Sequence, residues 1–196
     1  MKKMKQNNIE TRAGHSFSVD DASRKIEGYA IVFNSLSHDL GGFKEIIKPE
    51  AIEGVLERCC ILALLNHDES RGILARYKNG EGSLELTVDE KGLKYRFEAP
   101  HTQLGDELVE GIKRGDITTS SFAFTIAEEE WSQNENGEHI RTIKKFDQLF
   151  DISPVYREAY GDTTVALRNL SECDEKPTTK KGLKENYYND LIKSIF

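Results

Sequence analysis

One serine lies on a predicted strand whose two faces differ in character, and this makes it the first candidate for chemistry. Residues 115–124 begin with a helix-ending glycine and continue as a strand. Successive strand side chains point to opposite faces, so Phe122 and Phe124 share one face. Ser121 and Ala123 share the other. The aromatic face indicates a core, and the small face predicts open space above Ser121, as a nucleophile that must meet a peptide requires.

A serine nucleophile needs a base to accept its proton, and His67 is the histidine that the sequence places best. The chain has five histidines. Only His67 ends a strongly apolar segment, the predicted buried strand 60–67, where packing would fix its backbone. A lone histidine at a strand end is more often structural than catalytic, so the pattern leaves both interpretations open.

The base in turn needs a third group to orient it. Asp151 interrupts the apolar pattern of a predicted strand at 149–152, and a buried acid there would need a partner. The same pattern also allows an acid that caps a turn at the strand end. Asp68 is the rival because it follows His67 directly, although neighbours in a strand point to opposite faces.

A strand-rich domain must position these residues. Many short strands with a few helices predict an α+β fold, mainly an antiparallel β-barrel with a few flanking helices. Thr102 is predicted to cap a helix that Gly115 ends. The predicted strands lie at 26–33, 60–67, 118–127, 149–152 and 163–167, with hairpins at 83–97 and around 134–137 and a further helix at 49–56.

Composition divides the chain into three parts. Residues 1–24 are polar and weakly patterned, which predicts an N-terminal arm. Residues 25–170 form the predicted domain. Residues 171–196 are predicted to be a linker containing Pro177, followed by a short amphipathic C-terminal segment.

Charge and composition also limit the function. The net charge is −7, which argues against a broad nucleic-acid surface, and no apolar run reaches membrane-spanning length. The three cysteines match neither a disulfide framework nor zinc spacing. A metal hydrolase built on His67 and Asp68 is an alternative, but no two-histidine motif supports it. We therefore expect no cofactor and no metal.

Several short segments, taken in order and spacing, resemble those of the prohead (capsid maturation) serine proteases of tailed phages. This family is distantly related to the herpesvirus maturation protease, assemblin. Together the segments extend over about residues 25–170. They are GYAIVFN at 28–34, FKEIIKP at 43–49, NHD at 66–68, GILAR at 72–76, DEKGL at 89–93, RGDI at 114–117, SFAF at 121–124, SPV at 153–155 and AY at 159–160.

The resemblance implies roles for the candidate residues. Ser121 takes the nucleophile position and His67 the position of the base. Assemblin has a second histidine on a strand after the serine strand, whereas here Asp151 stands on such a strand and takes the third position. Backbone N–H groups near Ser121 are one option for the oxyanion donors, and Arg157 is another by loose analogy with assemblin.

The implied function is that of a serine endopeptidase in the host cytoplasm, inside the assembling prohead. It would cut scaffold segments from the major capsid protein, and itself. Its partners would be the major capsid protein and its scaffold segment, with no nucleic acid or membrane, and the choice between a monomer and a homodimer is open. The alternative from another class is a non-catalytic β-barrel module that binds or scaffolds capsid subunits.

Overall fold

Strands dominate the part of the chain that the computed structural model describes, which is residues 9–20 and 24–156. The strands are β1 (Glu10–Asp20), β2 (Lys25–Val32), β3 (Phe43–Ile47), β4 (Cys60–Ala63), β5 (Ala75–Lys78), β6 (Glu81–Gly82), β7 (Glu85–Val88), β8 (Gly92–Glu98), β9 (Thr119–Gln133) and β10 (His139–Val155). The α-helices are α1 (Val55–Arg58) and α2 (Gln103–Arg114), and two 3₁₀ turns span Pro49–Ile52 and Glu69–Arg71. The predicted α+β class, rich in strands with few helices, is confirmed. No helix in these ranges is long and apolar enough to cross a membrane.

The strands form one sheet in the order β6-β5-β4-β10-β9-β1-β2-β8-β7, and β3 also pairs with β10. β10 is long enough to pair in parallel with β3 along its first part and with β4 near its end. The remaining pairs are antiparallel. Within the described ranges no pair joins β6 to β7, so the sheet is open there and the predicted closed barrel is not found.

Local signals in the sequence explain the elements that flank this sheet. Asp89 accepts hydrogen bonds from the backbone N–H groups of Lys91 and Gly92 in the β7–β8 hairpin, at 2.8 and 2.9 Å. Thr102 Oγ1 accepts a bond from the first turn of α2, and Gly115 ends that helix in the left-handed region at φ 77°. The predicted hairpin and helix are both confirmed.

The predicted helix at 49–56 is divided into two pieces. A 3₁₀ turn occupies Pro49–Ile52, and the short α1 helix begins only at Val55. Gly54, between them, has φ 67°, a left-handed conformation that a continuous right-handed helix cannot contain. The two pieces still bury apolar side chains, including Ala51 and Val55, against the core.

The hydrophobic core lies on the face of β9 that carries Phe122 and Phe124. Side chains of β2, β8, β10 and α2 pack there, including Leu108 of α2. The two phenylalanine rings stack with centroids 5.1 Å apart. The opposite face of β9 is thereby left for small and polar residues.

The N-terminal part of the chain differs from the arm predicted at residues 1–24. Residues 10–20 form β1, which lies inside the sheet between β9 and β2. Glu10 and Arg12 are both charged and both buried, and they pair with each other and with Glu45 and Arg141 from other strands. The predicted strand 163–167 and the segment 171–196 lie outside the described residues, and the division into domains stays a prediction.

A cluster of buried ion pairs holds β1 in place. Arg12 binds Glu45 of β3 at 2.8 Å and Glu10 at 2.6 Å. Arg141 of β10 binds Glu10 at 2.6 Å, and it also bonds Glu45 and Glu129. The five side chains come from β1, β3, β9 and β10, so this buried charge cluster connects four strands.

The two arginines determine the ionisation of this cluster. Burial alone would raise the pKa of Glu10, but hydrogen bonds and charges from Arg141 and Arg12 hold the pKa below its usual value. Burial would lower the pKa of Arg141, and the surrounding carboxylates raise it instead. The depressed pKa of Glu10 gives stability that is present above its unfolded pKa and is lost as the pH falls through its folded pKa.

We expect Arg141→Ala to destabilise the fold strongly. The substitution leaves buried carboxylates with too little positive charge, and breaking a buried pair costs about 3–5 kcal/mol. Lys144→Ala is the matched control on the same strand, because Lys144 forms an exposed pair with Glu130 and should lose little. Urea denaturation of both variants measures the difference, and similar losses in the two would contradict a stabilising role for the cluster.

Candidate active site

Ser121 lies on the face of β9 that points away from the core, as the strand pattern predicts. Phe122 and Phe124 are buried in the core cluster, to which Ser121 does not belong. The open space predicted above Ser121 is not found, because the side chain has no exposed surface. Its Oγ is buried and has no hydrogen-bond partner among the described residues. The protein thus covers this oxygen.

The neighbouring Ser120 provides a contrast. It is equally buried, but it lies on the core side of β9, next to the phenol of Tyr95. Burial raises the pKa of Tyr95, and the neighbouring Ser120 side chain offsets part of that rise. The two adjacent serines thus have different surroundings, and of the two only Ser121 has a hydroxyl without a hydrogen-bond partner among the described residues.

Strand pairing brings two polar residues of β10 to the same face as Ser121. Across the antiparallel β9–β10 pair, Ser121 is opposite Ser153 and Ala123 is opposite Asp151. Asp151 and Ser153 are both buried. On its other side, β10 pairs with β4 at Asp151 and Leu62, so the chain leaving β4 passes close to the acid.

A tight turn after β4 carries His67. The strand ends at Ala63 and not at residue 67 as predicted, because Asn66 and His67 have φ 57° and 59°, in the left-handed region. Asparagine and histidine tolerate this region better than most residues. The N–H of Asp68 donates to the Leu65 carbonyl at 3.2 Å, which closes the turn.

The end of β10 fixes this turn in space. The N–H of Asn66 donates to the carbonyl of Pro154 at 2.9 Å. Leu65, just before the turn, is completely buried in the core. His67 is therefore held by a backbone bond to the same strand that carries Asp151.

His67 and Asp151 form a direct hydrogen bond although 84 residues separate them in the sequence. His67 Nδ1 lies 2.7 Å from Asp151 Oδ1. A carboxylate only accepts, so we assign the ring proton to Nδ1 and the lone pair of the neutral ring to Nε2. That Nε2 is buried and has no hydrogen-bond partner in the described ranges. An imidazole in this state is ready to accept a proton at Nε2.

Asp68, the rival to Asp151, has a local role. Its carboxylate accepts from the N–H of Ser70 at 3.0 Å and from the Ser70 hydroxyl. These bonds cap the 3₁₀ turn at Glu69–Arg71. Asp68 thus stabilises the start of the next element, and the geometry favours Asp151 as the partner of His67.

We expect Asp151→Asn to lower the proteolytic rate by about four orders of magnitude, and Asp68→Asn to leave most of the rate intact. An amide at 151 can present its NH₂ to Nδ1, which favours the wrong tautomer of His67. The measurement is the rate of peptide cleavage by the two folded variants. A silent Asp151→Asn together with a severe Asp68→Asn would make Asp68 the third member.

Other expectations for the site divide into those within the described residues and those outside. Arg157, which we considered as an oxyanion-hole donor, lies outside the described residues. Within the described ranges, no group of three or more His, Cys, Asp and Glu side chains could hold a metal ion, so the metal-hydrolase alternative lacks a ligand set there.

The strand β1 has a register shift between Ala13 and Ser16, close to the pair that Ala13 forms with Ser121 of β9. Such bulges are common next to active sites.

Sequence reasoning missed the role of Ser153. Its Oγ donates to Asp151 Oδ1 at 2.5 Å, the oxygen that also accepts from His67. The available signal was its spacing, because residues two apart on a strand share a face. A hydroxyl two residues after an isolated buried acid is a natural partner for that acid.

Comparisons with known proteins identify a family that this chain matches. A family model described as caudovirus prohead serine protease matches residues 7–176. Among solved structures, the bacteriophage T4 capsid assembly protease, gp21, is similar to this chain with a TM-score of 0.47 and 14% sequence identity. The match covers 76% of this chain and 97% of that chain. A search of curated proteins finds no significant match.

Proposed function

The chain belongs to the caudovirus prohead serine protease family, and from this premise we propose that Ser121, His67 and Asp151 are its nucleophile, general base and orienting acid. Family membership makes the chain a serine peptidase and favours this function over a non-catalytic module. The assignment of residues rests on one observation above all. His67 Nδ1 bonds Asp151, and the buried Nε2 of the same ring has no partner in the part of the chain that the structure describes.

The proposed reaction uses these three groups in two halves. Nε2 of His67 accepts the hydroxyl proton as Ser121 Oγ attacks the carbonyl carbon of the scissile peptide. The C–N bond then breaks, and the imidazolium gives its proton to the departing amine. In the second half His67 takes a proton from water, the resulting hydroxide attacks the acyl ester, and the proton returns to Ser121.

Asp151 keeps the base in the productive state throughout. Its Oδ1 holds the proton on Nδ1, and its charge stabilises the imidazolium that forms when Nε2 is protonated. The carboxylate is buried, so its attraction for the imidazolium is weakened less by water than that of an exposed pair. The left-handed turn and its bond to Pro154 keep the ring beside this carboxylate.

The substrate proposed is the capsid protein of the assembling prohead. The family name, prohead serine protease, supports action at the prohead. The substrate that we propose there is the major capsid protein with its scaffold segment. The chain would also cleave itself. Confinement inside a shell in the host cytoplasm gives a high effective substrate concentration, so a site with modest affinity is sufficient.

Co-expression with the major capsid protein of the same genome tests this function. Mass spectrometry of the products should show one or a few new N-termini in the capsid protein, and a fluorophosphonate probe should label Ser121. The Ser120→Ala variant is the control because it changes an adjacent buried serine on the core side. Intact capsid protein in the presence of folded, labelled protease would contradict the substrate, and absence of label on Ser121 would contradict the site.

We also propose that the complete fold is an assemblin-like β-barrel. Its support is the sequence pattern at 163–167, which predicts a further strand after β10. An experimental structure that includes this segment tests the prediction. A sheet in which β6 and β7 both remain terminal, with no strand bridging them, would contradict a barrel.

A further inference from the structure

Ser153 is a buried residue that no role in the proposed triad accounts for. It has no exposed surface, and its Oγ donates to Asp151 Oδ1 at 2.5 Å. The same oxygen accepts from His67 Nδ1 at 2.7 Å. One carboxylate oxygen therefore receives two donors, one from the base and one from a neighbouring hydroxyl.

The position of Ser153 in the sheet also places it next to the proposed nucleophile, Ser121. Across the β9–β10 pair it stands directly opposite Ser121. Directly opposite residues have Cβ atoms about 4.5–5.5 Å apart on the same face of the sheet. Ser153 thus lies next to the acid along its own strand and next to the nucleophile across the strands.

The residue after Ser153 connects this segment to the base. Pro154 accepts the backbone bond from Asn66 in the turn that carries His67. The dipeptide Ser153–Pro154 therefore contacts two parts of the site, the carboxylate through a side chain and the histidine turn through a carbonyl. Displacement of this short stretch would move the acid and the base together.

We propose that Ser153 is a positioning residue that holds the Asp151 carboxylate in the orientation that His67 requires. The inference rests on the proposed function and extends that site by one residue. The terminal torsion of an aspartate side chain is broad, so a single bond to the imidazole does not fix the carboxylate plane. A second donor on Oδ1 restricts that rotation.

The hydroxyl also takes a share of the negative charge on Asp151. A carboxylate whose charge is not shared with a hydroxyl attracts the imidazolium more strongly, so loss of the hydroxyl should favour the protonated form of the ring. The acidic limb of the rate profile then moves to higher pH, because more of the base is protonated at a given pH. A residue that served packing alone would change stability and leave this limb in place.

The test measures the rate at which a fluorophosphonate probe labels Ser121 from pH 5 to pH 9 in the full-length protein. We expect Ser153→Ala to slow labelling on the order of tenfold to a hundredfold, the size typical of small displacements in a catalytic site. Its acidic limb should shift to higher pH. Ser153→Thr keeps the hydroxyl and should restore most of the rate, whereas Ser120→Ala should behave as wild type.

Clear outcomes would overturn the inference. The first is a Ser153→Ala protein with the wild-type labelling rate and pH profile. The second is a Ser153→Ala protein that is labelled slowly but whose acidic limb is not shifted. The third is a folded Ser153→Thr protein that is labelled as slowly as Ser153→Ala. If Ser153→Ala does not fold, Ser153→Cys keeps the volume with a weaker donor, and a wild-type rate in that variant contradicts the inference. Wild-type protein that is not labelled at Ser121 would instead contradict the proposed function, so the two failures are distinguishable.

Discussion

Replacing Ser121 with alanine abolishes capsid-protein cleavage and leaves the protein folded: this is the largest effect that we expect from a single substitution. The hydroxyl supplies the attacking oxygen, and the alanine side chain has no atom that can replace it. Loss of a nucleophile of this kind lowers kcat by about six orders of magnitude. Ser121 Oγ has no hydrogen-bond partner among the described residues, so its removal breaks no hydrogen bond in that part of the chain.

The comparison with Ser120→Ala makes this experiment specific. Both serines are completely buried on β9, but Ser120 faces the phenol of Tyr95. The Ser120→Ala variant should lose some stability and keep its activity. The Ser121→Ala variant should keep its stability and lose its activity. Thermal unfolding together with mass spectrometry of the capsid-protein fragments measures both properties. Complete cleavage by folded Ser121→Ala protein would show that another residue is the nucleophile.

The part of the site that sequence predicts well depends on local periodicity. Alternation in residues 121–124 assigns Phe122 to the core and Ser121 to the other face, and the structure confirms both placements. Asp151 stands out for the same reason, since it interrupts an apolar run. That His67 and Asp151 meet follows from β4 and β10 pairing at Leu62, a contact that periodicity alone does not reveal.

The turn at His67 shows why the end of a strand is hard to predict. Residues 60–65 are mostly apolar, which suggested a strand continuing to His67. The chain instead turns at Asn66, because two left-handed residues and a bond to Pro154 redirect it toward β10. The partner of that bond is 88 residues away, so the sequence around the turn gives no sign of it.

The N-terminal strand was missed because burial of charge depends on distant partners. Glu10 and Arg12 are charged residues in a largely polar stretch and look like residues of a solvated segment. Their burial requires Glu45 and Arg141, which β3 and β10 contribute from far along the chain. Composition does not show which charged residues will pair in the folded protein. It therefore predicts an N-terminal arm where the structure has an inner strand.

The second large effect is expected from His67→Ala, which should be as damaging as Ser121→Ala. Without the imidazole no group in the described site takes the hydroxyl proton, and the alcohol itself is a poor nucleophile. The double variant Ser121→Ala/His67→Ala should be no slower than either single variant, because the two residues act as one unit. Single-turnover cleavage of a capsid-derived peptide by the three proteins provides the measurement.

The pattern of these rates discriminates between a catalytic and a structural histidine. His67 contacts Asp151 and lies in a turn with positive φ, so its removal could also disturb the backbone. His67→Asn tolerates the left-handed conformation but cannot serve as a base, which makes it the matched control for folding. We expect this variant to unfold at a temperature close to that of the wild type and to be inactive. Losses that multiply in the double variant, or activity retained by His67→Asn, would mean that His67 supports the fold and that the base lies elsewhere.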